Sequence, residues 1–197
     1  TDGETAPTLL KIATALAHHY HYELECLHVV PVPRQITPAE ATIDLTELQA
    51  LRQTVMDWGQ HHGLSVHFQG RVAHEVGRTL LEVIRDRHID LVLMGWHHPT
   101  LVPGRVISSV IDTLIRQAPC PVVVVRPGRN LRFNRWLLPT AGGPNAQIAQ
   151  DLLPGLITLG SRPIVKLCTV CHPEKGECLT PHHLTALATN LEATLQQ

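Results

Sequence analysis

The pattern of apolar positions is clearest between residues 89 and 126. Ile89–Met94 is a short apolar run that stops at Gly95, and a run without polar alternation predicts a strand buried on both faces of a parallel sheet. Apolar residues recur at helical spacing over 105–116, and Val122–Val125 is a second apolar run. The order strand, loop, helix, strand predicts one βαβ unit with a right-handed crossover.

The same reasoning predicts alternating helices and strands before this unit. Helices are predicted at Thr8–Ala17, Leu45–His62 and Glu75–Arg87, and strands at Leu24–Val30 and Leu64–Phe68. Because the last of these strands alternates apolar and polar residues, we expect it near the sheet edge. Four strands that alternate with helices predict a doubly wound parallel α/β sheet with helices on both faces.

The residues after 126 repeat the beginning of this order. Strands are predicted at 135–139 and 163–170, and helices at 146–159 and 181–195. Gly142-Gly143 permits a tight turn from strand to helix, and Pro154 predicts a kink or boundary in the helix that follows. A repeat period of about 130 residues is too long for a solenoid and predicts two tandem copies, the second stopping after its second helix.

Charge and composition exclude several classes of partner. A net charge of -1 provides no electrostatic footprint for nucleic acid. No apolar run reaches the length of about 18 residues that a membrane span needs. Five cysteines, an odd number in a chain rich in core residues, favour a reducing compartment, so we expect a cytoplasmic location.

The loop between the two apolar runs carries a partial glycine motif. Residues 94–110 read MGWHHPTLVPGRVISSV, and APCPVVVVR follows at 118–126. These stretches resemble the C-terminal signature of the universal stress protein family, whose nucleotide-binding members show Gly-x-x-Gly, nine residues, then Gly-Ser/Thr-Val. Gly95, Ser109 and Val110 match this motif, whereas His98 and Ser108 stand where it has glycines.

The resemblance implies a flavodoxin-like, Rossmann-like parallel sheet of five strands in each of two tandem copies. Asp2-Gly3 resembles the turn that follows the family's first strand, so we expect that strand before Thr1; a complete four-stranded domain is the alternative. The implied organisation is a universal stress protein domain at 1–127, a linker at 128–134 and a partial second domain at 135–197.

The resemblance also implies an adenine nucleotide, ATP or AMP, as the ligand. An acidic residue after the first strand contacts the nucleoside, the end of the second strand faces adenine, and the glycine loop holds phosphate. The positions that match are Asp2, Val29, Met94, Gly95, His98, Ser108, Ser109 and Val110. His98 and Ser108 add a Cβ where the family backbone approaches phosphate, so one alternative is that the nucleotide site has been lost. The other is a site in which the Ser108 hydroxyl and a protonated His98 bind phosphate.

Other clusters of reactive residues have weaker support. Cys168, Cys171 and Cys178 have a spacing that resembles a zinc site, but Cys168 falls in a predicted strand and is better interpreted as a small core residue, so no metal site is predicted. The paired histidines close two predicted helices, where surface positions are a simpler interpretation than pH sensing. No Walker lysine loop, nucleophile elbow or His-Glu-x-x-His is present, and we expect no enzyme.

These observations lead to a regulatory binding module as the first functional hypothesis. The tandem order and the turn at 140–145 resemble family members that form cytosolic extensions of membrane transporters. A free-standing stress protein with weak ATP hydrolysis is the second hypothesis, and an interaction protein linked by a metal is the third. The last strand of the first copy, Val122–Val125, is an apolar edge that we expect to pair two subunits or the two tandem copies.

Overall fold

The computed structural model describes residues 5–35, 45–96, 109–128, 131–169 and 181–195. The chain divides into two units, one of Thr1–Ala17 and Tyr22–Pro127 and the other of His18–His21 and Gly128–Gln197. In chain order the elements are α1 (Thr5–Tyr20), β1 (Leu24–Pro31), α2 (Leu45–His62), β2 (Val66–Ala73), α3 (Val76–Asp86), β3 (Val92–Gly95), α4 (Ser109–Gln117), β4 (Val122–Val125), β5 (Arg135–Pro139), α5 (Pro144–Ile157), β6 (Ile164–Cys168) and α6 (Pro181–Leu195). This alternation confirms the predicted α/β class.

The strands pair in parallel, as the alternation with helices predicts. β1 pairs with β2 from Leu24 opposite Val66, and β3 pairs with β4 from Val92 opposite Val122. β5 pairs with β6 from Arg135 opposite Ile164. Each parallel pair spans a helical crossover, because parallel neighbours cannot be joined by a tight turn.

The sheet of the first unit differs from the continuous sheet that the sequence predicts. Within the described residues, β1 bonds only to β2 and β3 only to β4, so the four strands form two separate pairs. Most residues of β1 and β3 are half-buried rather than fully buried. The prediction of strands covered on both faces was therefore wrong in degree, and one unpaired edge on each strand is a physical reason for the remaining exposure.

A core cluster lies where α3 and α4 pack over β3 and β4. Leu81, Ile84 and Leu114 are buried at its centre, and Met94 and Val110 pack against it half-buried. At Gly77, an added Cβ would lie 3.2 Å from the Thr113 side chain, so the glycine permits the close approach of α3 to α4. The amphipathic spacing that predicted both helices places their apolar stripes on this core.

Two helices of the first unit are joined by a hydrogen bond between α1 and α2. The indole Nε1 of Trp58 donates to Thr14 Oγ1 at 2.8 Å. Gly63, with φ +63°, follows the last turn of α2, where the left-handed backbone conformation closes a helix without a steric cost to glycine. His61 and His62 lie in that last turn, with ring nitrogens 2.7 and 2.9 Å from the carbonyls of Asp57 and Trp58.

The second unit contains the β5–β6 pair with α5 and α6. Gly142 and Gly143 have φ values of +80° and +86°, which confirms their role in the tight turn into α5. Pro154 lies buried inside α5, which continues to Ile157, so this proline is not the helix boundary. Leu137 on β5 is 67% exposed, unlike the residues of a parallel sheet covered on both faces.

Candidate functional site

The predicted strand residues of the site lie near the carboxyl ends of β1 and β3. Val29 is half-buried near the end of β1, and Met94-Gly95 ends β3, with Gly95 buried. In parallel α/β sheets, ligands bind beyond the carboxyl ends of strands where the order of strands reverses. Val29 and Gly95 thus lie near the carboxyl ends of two strands of the same unit, although no backbone bond joins β1 to β3 within the described residues.

The residues of the predicted phosphate loop are described only in part. Asp2, His98 and Ser108 lie outside the described residues. Ser109 opens α4 with an exposed side chain, and its carbonyl accepts a 2.7 Å hydrogen bond from Thr113 Oγ1. Val110 packs into the same core cluster as Met94, so the structure brings the start of α4 to the strand that ends at Gly95.

A cleft of about 800 Å³ runs along α3 and α4. Its lining residues are His74, Glu75, Val76, Gly77, Arg78, Leu81, Glu82, Arg85, Ser109, Val110, Thr113 and Gln117. Among the described residues of the predicted site, Ser109 and Val110 line the cleft, whereas Val29, Met94 and Gly95 do not. The cleft therefore lies beside the beginning of α4 on the side of α3, and it does not extend to the ends of β1 and β3.

Two contacts connect the segments that follow β1 and β2. Arg34 forms an ion pair with Glu75, and the His74 ring Nδ1 lies 3.2 Å from the Val32 carbonyl oxygen. The ion pair is largely exposed, so its contribution to stability is small. Sequence reasoning missed both contacts. The available signal was that Arg34 comes shortly after β1 and that His74 directly follows the parallel strand β2.

Trp96 follows β3 directly and carries a buried polar atom. Its backbone N–H donates to the Val125 carbonyl at 2.7 Å, which extends the β3–β4 ladder. Its indole Nε1 is buried and has no hydrogen-bond partner among the described residues. An indole N–H only donates, so this position has an unused donor beside Gly95 that an acceptor oxygen would satisfy.

The cysteine thiols of the first unit are suited to packing and not to nucleophilic chemistry. Burial, with a smaller contribution from the Glu25 carboxylate, raises the pKa of Cys26 to about 11. Burial also raises the pKa of Cys120, with Asp90 as the second cause. A thiol attacks as the thiolate, so a raised pKa lowers its reactivity near neutral pH.

The cysteine cluster of the second unit is described only at its first member. Cys168 ends β6 half-buried and free of any disulfide, and Cys171 and Cys178 lie outside the described residues. Within the part of the chain that the structure describes, no three potential ligands from His, Cys, Asp and Glu come together around a metal position. In the same part, every helix is too short or too polar to cross a bilayer.

Two proteins of known name align with this chain. It is 24% identical over 196 residues to the Na(+)/H(+) antiporter NhaS5 of Synechocystis sp.; the alignment covers 98% of this chain but only 28% of the antiporter. It is 28% identical over 137 residues to the universal stress protein MJ0531 of Methanocaldococcus jannaschii, covering 64% of this chain and 78% of that protein. The chain thus spans less than a third of the antiporter and most of the smaller protein.

The fold and the sequence also match this smaller protein's family. The universal stress protein UspA from Lactobacillus plantarum superposes with a TM-score of 0.51 at 20% identity, covering 64% of this chain and 92% of that structure. The family model described as the universal stress protein family matches residues 1–126, which is most of the chain. Together with the parallel α/β fold, this match identifies the chain as a member of the universal stress protein family.

Proposed function

We propose that this chain is a non-catalytic regulatory module that binds adenine nucleotide on the cytoplasmic side of a Na⁺/H⁺ antiporter. The observation that carries the proposal is the alignment with NhaS5, which covers nearly all of this chain and a minor part of the antiporter. An aligned segment of that extent is typical of a domain appended to a larger membrane protein. The module regulates the antiporter because its affinity for nucleotide differs between two states of the antiporter.

The arrangement of strand ends and helix start supports the nucleotide part of the proposal. Gly95 ends β3, and α4 begins at Ser109 against the same core. The first turn of a helix presents unpaired backbone N–H groups and a favourable dipole, which stabilise phosphate. The Trp96 indole adds one unused donor at the same strand end. The adenine ring of the nucleotide would then face Val29. The phosphates of the nucleotide would face the segment before Ser109.

Whether the site binds nucleotide depends on the two positions at which His98 and Ser108 replace glycines of the family motif. In the proposed site, the hydroxyl of Ser108 and the protonated ring of His98 bind phosphate in place of backbone contacts.

Calorimetric titration of ATP and AMP tests the proposal. The natural chain and a His98→Gly, Ser108→Gly double variant are compared, with His97→Gly as the matched control beside the motif. Saturable binding by the natural chain, unchanged in the control, is the expected result. Binding by the double variant alone would mean that the natural site is lost and would overturn the proposal.

A free-standing stress protein is the second candidate, supported by the 78% coverage of MJ0531. Such a protein would bind ATP and hydrolyse it weakly without any attached transporter. The full-length gene separates the two candidates, because apolar spans of about 20 residues in the same polypeptide would favour the antiporter module. A phosphate-release assay then measures whether bound ATP is hydrolysed.

We also propose that β4 pairs with a second copy of the chain. The carbonyls of Pro121 and Val125 accept bonds from β3, so the backbone groups of Val122 and Val124 face the other edge. Among the described residues this apolar edge has no partner strand, and an edge of this kind favours association. Val124→Pro removes one outward donor and should convert a dimer to a monomer in light-scattering measurements, whereas Val124→Ala should not.

A further inference from the structure

The sheet of the second unit has one face covered by helices and one face open to solvent. Half-buried and exposed residues alternate along β5 and β6, and the half-buried ones include Trp136, Leu138, Val165 and Leu167. α5 packs against β5, α6 packs against β6, and the two helices contact each other, so both lie on the same face. The exposed residues therefore point away from the helices, because successive side chains of a strand point to opposite faces.

Four exposed side chains form the middle of this open face, two from each strand. They are Arg135 and Leu137 on β5 and Ile164 and Lys166 on β6. Arg135 lies opposite Ile164 and Leu137 lies opposite Lys166, so each apolar side chain has a cation as its neighbour on the adjacent strand. Paired strands lie about 5 Å apart and residues two apart on a strand about 7 Å apart, so the four side chains form one compact patch.

The apolar half of the patch is highly exposed for a parallel sheet, whose strands are normally covered on both faces. Leu137 is 67% exposed and Ile164 is 59% exposed, which exceeds the exposure of the other large apolar side chains in the part of the chain that the structure describes. Large apolar side chains that lie together on a surface mark a site of contact with another surface. The patch is therefore suited to a partner that offers apolar groups of its own.

The charged side chains around the patch are of one sign. Arg132 and Arg162 come shortly before β5 and β6, so they lie near the starts of these two adjacent strands. Within the described residues of the second unit, the carboxylates are those of Asp151 and Glu192, which belong to the helices over the other face. The open face is therefore cationic, although the net charge of the whole chain is only -1.

This combination of cations and exposed apolar side chains favours one class of partner. A second copy of the chain would bring Arg135 and Lys166 against the same two cations across a twofold axis, which is unfavourable. Nucleic acid would pair with the cations through its phosphates but would leave Leu137 and Ile164 without apolar contacts. A bilayer of anionic phospholipid offers phosphate to the cations and acyl chains to the apolar side chains.

We propose that the open face of the β5–β6 sheet binds the surface of a bilayer that contains anionic phospholipid. Leu137 and Ile164 enter the boundary between head groups and acyl chains, and Arg135 and Lys166 bind the lipid phosphates beside them. This binding requires neither the nucleotide site nor an attached antiporter. It therefore stands or fails independently of the function proposed above.

Flotation of the 197-residue chain with lipid vesicles tests the proposal. Vesicles of phosphatidylcholine mixed with phosphatidylglycerol are compared with vesicles of phosphatidylcholine alone. We expect binding to the mixed vesicles that weakens as the salt concentration rises, and binding to the neutral vesicles that is weaker by at least about tenfold. Equal binding to both kinds of vesicle, or binding to neither, would overturn the proposal.

Two double variants separate the two kinds of contact. Arg135→Gln with Lys166→Gln should weaken binding to the mixed vesicles about 20-fold, because each cation near an anionic surface contributes about fivefold. Leu137→Ser with Ile164→Ser should weaken it by about tenfold or more at low and high salt alike, because the burial of apolar area is not screened by ions. A double variant that binds as tightly as the natural chain would show the proposal to be wrong.

The matched control makes the same two kinds of change on the first unit. Ile115, which is 56% exposed, is replaced by Ser, and the exposed Arg87 is replaced by Gln. This control should bind the mixed vesicles as the natural chain does, and a loss equal to that of the open-face variants would exclude the open face as the binding surface. Light scattering on the same samples gives the oligomeric state. A dimer that Leu137→Ser with Ile164→Ser converts to a monomer would assign the face to a second copy of the chain and overturn the proposal.

Discussion

The indole Nε1 of Trp58 donates a 2.8 Å hydrogen bond to Thr14 Oγ1 and so joins α2 to α1. Thr14 is buried, and its hydroxyl lies far in sequence from the tryptophan that it bonds. This bond therefore connects two helices of the first unit that are separated in sequence by β1.

Removing one partner of this bond should destabilise the first unit. Thr14→Val leaves the part-buried indole donor without its acceptor, and we expect the free energy of unfolding to fall by about 1 kcal/mol in urea titrations. Trp58→Phe should also lower the free energy of unfolding. The double variant should lose less free energy of unfolding than the two single variants lose in sum. Strictly additive losses would show that the hydrogen bond does not couple the helices.

Gly59 is required by the close packing of α2 over the beginning of β2. An added Cβ would overlap Cγ2 of Val66, which is a stiff, buried side chain. Gly59→Ala should therefore lower the free energy of unfolding by about 1–3 kcal/mol, despite the better helix propensity of alanine.

The matched test places the same substitution in a Val66→Ala background. There the overlap with Cγ2 is removed and the nearest remaining atom is Cβ of residue 66, at 3.1 Å, so Gly59→Ala should lower the free energy of unfolding by much less than in the natural background. An equal loss of stability in both backgrounds would contradict this explanation of the glycine.

Cys26 should be an unreactive thiol in the folded protein. Its pKa is raised from 9.0 to about 11, chiefly by burial. At pH 8 we expect alkylation of Cys26 by iodoacetamide to be slower by about a hundredfold than in urea, since each pKa unit changes the thiolate fraction tenfold. Peptide mapping measures the rate, and equal rates in the two conditions would contradict the prediction.

The same pKa shift has a consequence for stability at alkaline pH. Because the native state holds the Cys26 proton to about pH 11 and the unfolded state releases it near pH 9.0, the native state binds more protons between these values. The contribution of this thiol to the free energy of unfolding is therefore complete below pH 9 and declines up to about pH 11. Cys26→Ala should remove the part of the decline in the free energy of unfolding between pH 9 and about pH 11 that this thiol causes.

Trp96 and Trp136 form a matched pair for testing the unused donor. Trp136 donates its indole N–H to the Phe133 carbonyl at 2.7 Å, whereas the Trp96 donor has no partner among the described residues. Trp96→Phe should weaken ATP binding about tenfold with little loss of stability, and Trp136→Phe should lower stability without changing affinity. A Trp96→Phe variant that loses stability but keeps its affinity would place the partner of this donor within the protein.

Element bounds could be predicted well where local signals mark them. The bounds of α2, β4, β5 and α6 are confirmed, because Gly63, Pro121, Pro139 and Pro181 act at or beside their ends through short-range backbone preferences. β2 was predicted only as far as Phe68 and continues to Ala73. Its extent follows from pairing with the whole of β1, which no local pattern encodes.

The site was less predictable than the fold. Gly95, Ser109 and Val110 could be selected because they match a spaced motif. Arg34 lies outside that motif and Trp96 occupies one of its variable positions, so both were missed. Their positions depend on which strand ends meet, and this is a property of the tertiary fold.

Hydrogen exchange of the natural chain with and without saturating ATP tests the proposed nucleotide site most directly. The proposal predicts slower exchange in three places together: at the end of β1 around Val29, at Gly95-Trp96, and at the start of α4. Unchanged exchange in all three, or protection confined to the cleft side of α3, would contradict it.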